Sequence, residues 1–456
     1  PPTPAPWRFP RNTRIGGVNV GALTEDQARQ VLERESAALF QPLLLVAGGQ
    51  VTVVKPAEIG LRLPIEEQLA EARRQSDGQG GSGGDPIQIA FKIVYDSTLL
   101  RQQIAALAPS LALTPALGFD DAAQTFVLTP GRSLDITRSL ALAEERLAVA
   151  GDSRRVELIT APVTGSLRAS SEQIIAALAA REEEWGGLVG VAVYDFTTGE
   201  TINYHGDTVF SGASVLKIPI LLQSYISREE FSANQQIAID LMMRISDNDS
   251  ANELLAMIGD GDGLEGVQQM NATLREVLGL EYTAMAAPFE SITYLSEFEG
   301  IEIRKRGIEG PSPHTDADPY VRATPAEMTR LLVAVAECAR GGGPLLDMPG
   351  TKLTPARCDE LLEVMQRNED ANKIVAGVPP GTFVAHKSGW IDDARADAGL
   401  VRAADGSEYV ISMWLWEETD YILTEVSDPL LGDLSRIVYS GLHPADAETS
   451  EGAASR

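Results

Sequence analysis

The stretch Phe210-Ser211-Gly212-Ala213-Ser214-Val215-Leu216-Lys217-Ile218-Pro219 decides how this chain is read. It follows a predicted hairpin, Leu188–Tyr194 returning as Glu200–His205 across the turn Thr197-Thr198-Gly199. A helix is expected to open at Ser214. Positions i and i+3 share a helix face, so the Lys217 amine reaches the Ser214 hydroxyl. A buried amine near a second cation loses its preference for the charged form and becomes able to take the serine proton, which is nucleophilic catalysis with an adjacent base. A helix N-terminus beneath Ser214 would also offer N–H groups to an oxyanion.

Two further motifs follow in order. Ser246-Asp247-Asn248 is expected at the end of a helical segment, and Lys387-Ser388-Gly389 on a strand spanning Thr382–Trp390. Lysine scarcity sharpens the pattern. The chain has seven lysines, at 55, 92, 217, 305, 352, 373 and 387; among them Lys217 alone has serine three residues before it, and Lys387 alone begins a Lys-Ser/Thr-Gly run. Ser-x-Asn, by contrast, recurs at Ser232–Asn234 and Ser250–Asn252 and means little by itself. Ser246 is placed as a proton relay, Lys387 as the holder of the local field, and Ser388 with the strand backbone as a surface that binds substrate in extended form.

Working outward, residues 166–443 run helix, two strands, a helix-rich middle, three strands and a final helix. Ser170-Ser171-Glu172-Gln173 caps the first helix, to about Glu184. Thr324-Pro325-Ala326-Glu327 is an N-cap with proline at the first helical position. Strands are expected at Thr382–His386, Ala398–Arg402 and Glu408–Trp416, and a helix near Asp433–Ser440. Such a chain must bring its two ends into one antiparallel sheet and leave the middle as a helical lobe, with the site in the crevice between them.

Residues 1–165 read as a separate α+β region. Thr24-Glu25-Asp26-Gln27 forms a capping box ahead of the helix Glu25–Glu35, and strands are expected at Leu43–Val46 and Val51–Val54. A pattern of strand, proline turn, strand and helix occurs twice. It runs from Gln50 through Pro56 to the helix Ile65–Arg73, and from Gln124 through Pro130 to the helix Arg138–Ala148, predicting two related lobes. The Gly-rich tract Ser76–Asp85 reads as a linker between them, and residues 444–456 as a disordered tail.

Composition narrows the function classes. The 456 residues are 44% hydrophobic and 22% charged, as for a globular protein. The net charge of −28 repels nucleic acid and anionic membrane surfaces. The chain has no apolar run long enough to span a bilayer. It opens at Pro1 in a Pro-rich tract, which predicts a secreted or extracytoplasmic chain trimmed of a signal or an anchor. Two cysteines, Cys338 and Cys358, exclude a disulfide scaffold and leave open either two buried thiols or one disulfide between neighbouring helices. The four histidines, at 205, 314, 386 and 443, show no ligand spacing, so no metal or other cofactor is expected.

Ser-x-x-Lys, Ser-Asp-Asn and Lys-Ser-Gly together resemble the motif set of class A β-lactamases and penicillin-binding proteins. The flanks Val189–Asp195, Phe210–Pro219, Ala323–Met328 and Val384–Gly389 carry the same resemblance. It implies one β-lactamase/transpeptidase-like domain over 166–443, an antiparallel sheet flanked by helices plus an all-helical lobe. It implies Ser214 as nucleophile, Lys217 as base, Ser246 as proton shuttle, Asn248 as a substrate and lysine contact, and Lys387 with Ser388 as carboxylate and field residues. The oxyanion hole would be the N–H groups of Ser214 and Trp390, beside Gly389. The activity implied is hydrolysis of a β-lactam or related amide through an acyl-enzyme at Ser214, hence antibiotic resistance. The alternative is a D-Ala-D-Ala-type carboxypeptidase or transpeptidase acting on peptidoglycan; from another class comes a non-catalytic cell-wall-binding protein. The N-terminal region, from Gly17 to Ala28 and in its repeated pattern, resembles peptidoglycan-binding modules, which implies a cell-wall glycan partner or else a spacer role.

The sequence departs from that family in three respects. No Glu-x-x-Leu-Asn segment lies between Ser246 and Thr324; Glu290 and Glu309 are the nearest acids, read here as solvated loop charges. The 32-residue separation of Ser214 and Ser246 is short for the family, which predicts a missing piece of wall above the nucleophile, whereas Phe289–Asp318 reads as an enlarged loop. Arg395 is a candidate for a substrate carboxylate, with an exposed surface arginine as the plainer reading.

Overall fold

The computed structural model describes residues 6–78, 86–147, 154–163, 167–290 and 310–444. These divide into two compact units, Pro1–Ala116 with Thr129–Gly165, and Leu117–Leu128 with Ser166–Arg456.

The second unit is built on a five-stranded antiparallel sheet. Its strands are β1 (Leu188–Asp195), β2 (Thr201–Tyr204), β3 (Phe383–Ile391), β4 (Ala394–Arg402) and β5 (Glu408–Trp416), in the order β2-β1-β5-β4-β3. The two ends of the domain do meet: β1 pairs with β5 from Leu188↔Trp416 to Asp195↔Tyr409. Alternation sends Val189, Val191 and Val193 of β1 and Tyr409, Ile411, Met413 and Leu415 of β5 to one face. That face is covered by α1 (Ser171–Trp185), capped by Ser170 and Gln173, and by α8 (Thr424–Leu442). The opposite face, through Val410, Trp414, Ala396 and Ala398, shares a core with the helical lobe.

That lobe comprises α2 (Lys217–Ser227), α3 (Ala233–Arg244), α4 (Asn248–Ile258), α5 (Gly263–Ala272), α6 (Pro325–Ala339) and α7 (Pro355–Met365). The Thr324 cap accepts the N–H of Glu327 as expected. The Glu327 side chain does more: 3% exposed, it collects the N–H groups of Glu281, Tyr282 and Thr283, pinning the segment that leads to the site. Cys338 of α6 and Cys358 of α7 form a disulfide, which resolves the two readings left open by the sequence.

The first unit has only small sheets. Leu43–Ala47 lies between Gln50–Val54 and Arg155–Glu157, and Arg14–Ile15 lies between Val18–Asn19 and Gln88–Ile89. The helix Glu25–Glu35 starts at its capping box. The two sequence repeats differ in form. In the first, Pro56 opens a single helical turn, Pro56–Ile59, and Arg62 makes only a bridge to Val94; in the second, Gly131–Leu134 is a true strand. The boundary also departs from a single cut at 165. Residues 117–128 belong to the second unit, because Phe126 packs into its core and its N–H donates to the Ser440 hydroxyl of α8 at 2.8 Å. Most of the Gly-rich tract and the tail beyond Pro444 lie outside the described residues.

Candidate active site

Ser214 sits in a tight turn, Ala213–Leu216, and α2 begins only at Lys217, so the serine stands ahead of the α-helix rather than on its first turn. Ala213 adopts φ +45°, a left-handed conformation that turns the serine out of the preceding strand. The i to i+3 geometry survives: Lys217 Nζ lies 2.9 Å from Ser214 Oγ. The same amine reaches Ser246 at its carbonyl (2.6 Å) and hydroxyl (3.1 Å), and Asn248 Oδ1 at 2.5 Å. Ser246 lies between α3 and α4 at φ +65°, which aims both its oxygens at the lysine, and Asp247 caps α4 through the Ser250 N–H.

Lys217 is fully buried. Burial first, and the positive charge of Lys387 second, bring its pKa down to about 7, against the opposing pull of Asp247 and Glu290. At neutral pH a large fraction of the amine is therefore uncharged and able to accept the Ser214 proton.

Strand β3 closes the other side. A Cβ on Gly389 would lie 2.8 Å from the Ser214 nitrogen and 2.9 Å from that of Val215, so only glycine lets the strand pass this close to the nucleophile. Lys387, fully buried, donates to the Ser388 carbonyl at 2.7 Å. Its pKa falls to about 8 because burial outweighs the attraction of Asp397 and Asp370. Trp390 is 63% exposed and stands on the rim.

A cleft of about 560 Å³ opens over these groups, lined by Ser214, Ser246, Asn248, Phe289, Glu290, Asp318, Tyr320 and Trp390 among others. Lys217 lies below its floor, bonded to Ser214 and Ser246. The structure thus brings together Ser214, Lys217, Ser246, Asn248, Gly389 and Trp390. Ser388 does not line this cleft; its hydroxyl favours the charged form of the Asp370 carboxyl behind the strand.

Arg395 requires a correction on both readings. It is 2% exposed, and its guanidinium donates to the carbonyls of Ile391, Ala394 and Ile422 beside the ring of Tyr421. The turn between β3 and β4 offers carbonyls in need of donors, and Arg395 fills that structural need. Glu290 is an exposed loop charge, as expected, but a tethered one: its Oε1 accepts the Asn248 amide N–H at 2.6 Å, which joins it to the Lys217 network. Glu309 lies outside the described residues, as does most of the expected enlarged loop.

Sequence reasoning missed two neighbours. The Phe289 ring lies 4.8 Å from Lys217 Nζ, and the Asn252 side chain grips the Phe289 backbone through both its N–H and its carbonyl, at 2.8 Å each. The available signal was Asn248 and Asn252 at i and i+4, which puts both amides on one face of α4. Among the described residues no cluster of His, Cys, Asp and Glu is arranged to hold a metal ion.

A family model described as the beta-lactamase enzyme family matches residues 170–240 and 231–442. The curated beta-lactamase VEB-1 of Pseudomonas aeruginosa is 22% identical over 272 residues, 55% of this chain and 84% of that protein. Among solved structures, PBP-A is 22% identical with a TM-score of 0.44, covering 60% of this chain and 96% of that one. A beta-lactamase from Desulfarculus baarsii is 18% identical with a TM-score of 0.46, covering 60% and 98%.

Proposed function

Since the chain belongs to the beta-lactamase enzyme family and is a serine hydrolase of the β-lactamase type, we propose that it opens β-lactam amides through an acyl-enzyme at Ser214. The observation that carries the assignment is the single buried amine, Lys217, within hydrogen-bond reach of both Ser214 and Ser246.

Neutral Lys217 takes the Ser214 proton, and the freed oxygen attacks the substrate carbonyl. The negative charge on the carbonyl oxygen is met by the backbone N–H groups of Ser214 and Trp390. As the C–N bond breaks, the amide nitrogen takes the Ser246 proton, and the Lys217 ammonium, 3.1 Å away, returns one to Ser246. Protonated Lys387 supplies positive charge beside the substrate carboxylate. For hydrolysis a water must lose a proton while attacking the ester. Of the two carboxylates that line the cleft among the described residues, Asp318 accepts the Tyr320 N–H, and Glu290 accepts the Asn248 amide N–H, which ties it to the Lys217 network. We assign Glu290 that role.

One observation favours a second reading, a D-Ala-D-Ala-type peptidase that holds its acyl group. The ring of Phe289, not a carboxylate, lies over Lys217. A mutant of PBP-A has been solved as an acyl-enzyme with penicillin G. An extracytoplasmic location is supported by the Cys338–Cys358 disulfide, since such bonds persist in oxidising compartments. A cell-wall role for the N-terminal region rests on the sequence resemblance alone.

The test is the intact mass of the protein over time after mixing with penicillin G. A short-lived adduct with turnover supports the hydrolase, and one lasting hours supports the peptidase. No adduct and no turnover would contradict both.

A further inference from the structure

Behind β3 lies a cluster of buried charges that the reaction just described leaves unused. The segment between α7 and β3 carries Asp370 and Lys373. Lys373, 5% exposed, pairs with Asp370 and, at 3.1 Å, with Asp428 of α8. Asp370 accepts the Asn372 N–H at 3.2 Å, and the nearby Ser388 hydroxyl favours its charged form. On the neighbouring strand, fully buried Asp397 accepts the Ile374 N–H at 3.1 Å and faces His386 Nδ1 at 2.9 Å.

The same segment also holds the lobe. Asn368 accepts the Asp370 N–H at 2.9 Å and donates to the Met243 carbonyl at 2.8 Å, while Glu369 pairs with Arg244 at 2.7 Å. Met243 and Arg244 end α3, immediately ahead of the Ser246 turn. One short stretch of chain therefore holds the sheet, through Asp397 and beside Ser388, and the approach to Ser246 on the lobe.

We propose that Asp370 is a positioning residue of the reaction: it orients the Ser388 hydroxyl, supplies negative charge behind Lys387, and sets the strand against the Ser246 turn. This rests on the acyl-enzyme reading above, in which Lys387 acts as a cation. The titratable groups around Lys387 are Lys217 from α2, Asp370 and Lys373 from the connecting segment, His386 from its own strand and Asp397 from β4, with Asp428 of α8 behind Lys373. Asp370 and Asp397 favour its charged form, and Lys373 opposes it. Two substitutions in the cluster must then have opposite signs. Removing the charge of Asp370 makes Lys387 easier to deprotonate, and removing that of Lys373 makes it harder.

The experiment is the second-order rate of acylation by penicillin G against pH, for the full chain and for Asp370→Asn and Lys373→Gln. Asn keeps the shape of Asp and an acceptor for Ser388, and Lys373 keeps Asp428. The alkaline limb should move to lower pH in Asp370→Asn and to higher pH in Lys373→Gln, each by about one pH unit, the scale of one nearby charge. Asp370→Glu should return the limb toward the wild-type position. A uniform loss of rate with the limb unmoved would reduce Asp370 to a structural bracket and overturn the proposal, as would shifts of the same sign. Should Lys373→Gln fail to fold, Asp370→Asn and its Glu counterpart decide the matter by sign. If the wild type acylates at Ser214 and the limb does not move, only the role of Asp370 falls. If the wild type does not acylate, the functional reading itself fails.

Discussion

Both units carry ion pairs at the surface, but they differ in the charge they bury. In the first, ionic side chains meet at the surface: Arg29 with Asp26 and Glu66, Arg73 with Glu25, Arg74 with Glu71, Arg155 with Glu157. Arg154 is buried there, and its guanidinium ends on the carbonyls of Gln41 and Leu147, a purely structural use. In the second unit Lys217, Lys373, His386, Lys387 and Asp397 are each no more than 5% exposed and crowd around one strand and one turn. Taking ions out of water costs several kcal/mol each even after relaxation. A fold concentrates such a cost where shifted proton affinities are needed, so the contrast itself locates the chemistry. The two lysines at about 7 and about 8 are the product of that burial.

Substitutions that break the contrast should rank by how deeply the charge is engaged. Lys217→Ala removes the base and should slow acylation by roughly 100- to 10,000-fold, read as the rate of adduct growth. Glu290→Gln should leave acylation largely intact and prolong the acyl-enzyme by about 100-fold, seen as slower decay of the adduct mass. An unchanged decay rate would remove Glu290 from the mechanism. A gentler probe is pH. Because Lys217 must be neutral and Lys387 charged, acylation should rise through about pH 7 and fall through about pH 8, giving a narrow bell. A flat profile across that window would mean that one lysine titrates elsewhere. At the bottom of the scale, Arg29→Ala in the first unit breaks an exposed pair and should leave the acylation rate unaltered, since such pairs are screened by water and salt.

Much of this was legible from residue types and spacings. Ser170, Thr24 and Thr324 marked helix starts because capping is local chemistry, and each caps the helix it announces. Ser214 and Lys217 could be joined because three residues of helical or near-helical chain always bring such groups together. Asp370 and Lys373 have the same spacing and passed unnoticed. Nothing local distinguishes a surface pair from one sealed between a strand, a loop and a terminal helix. Arg395 was misjudged for a related reason. Composition favours exposed arginine, and only the folded turn at Ile391–Ala394 shows what holds it; Glu290 is exposed as expected, and only the amide of Asn248 shows its link to the site. Cys338 and Cys358 could not be paired from sequence, because their union depends on how α6 packs on α7.

The central claim is that Ser214 carries the acyl group, and the most direct measurement is mass spectrometry with peptide mapping after exposure to penicillin G, for the wild type beside Ser214→Ala. The account predicts one added acyl group on the wild type, mapped to the peptide holding Ser214, and none on the variant. An equal adduct on Ser214→Ala, or one mapped to another residue in the wild type, would contradict it.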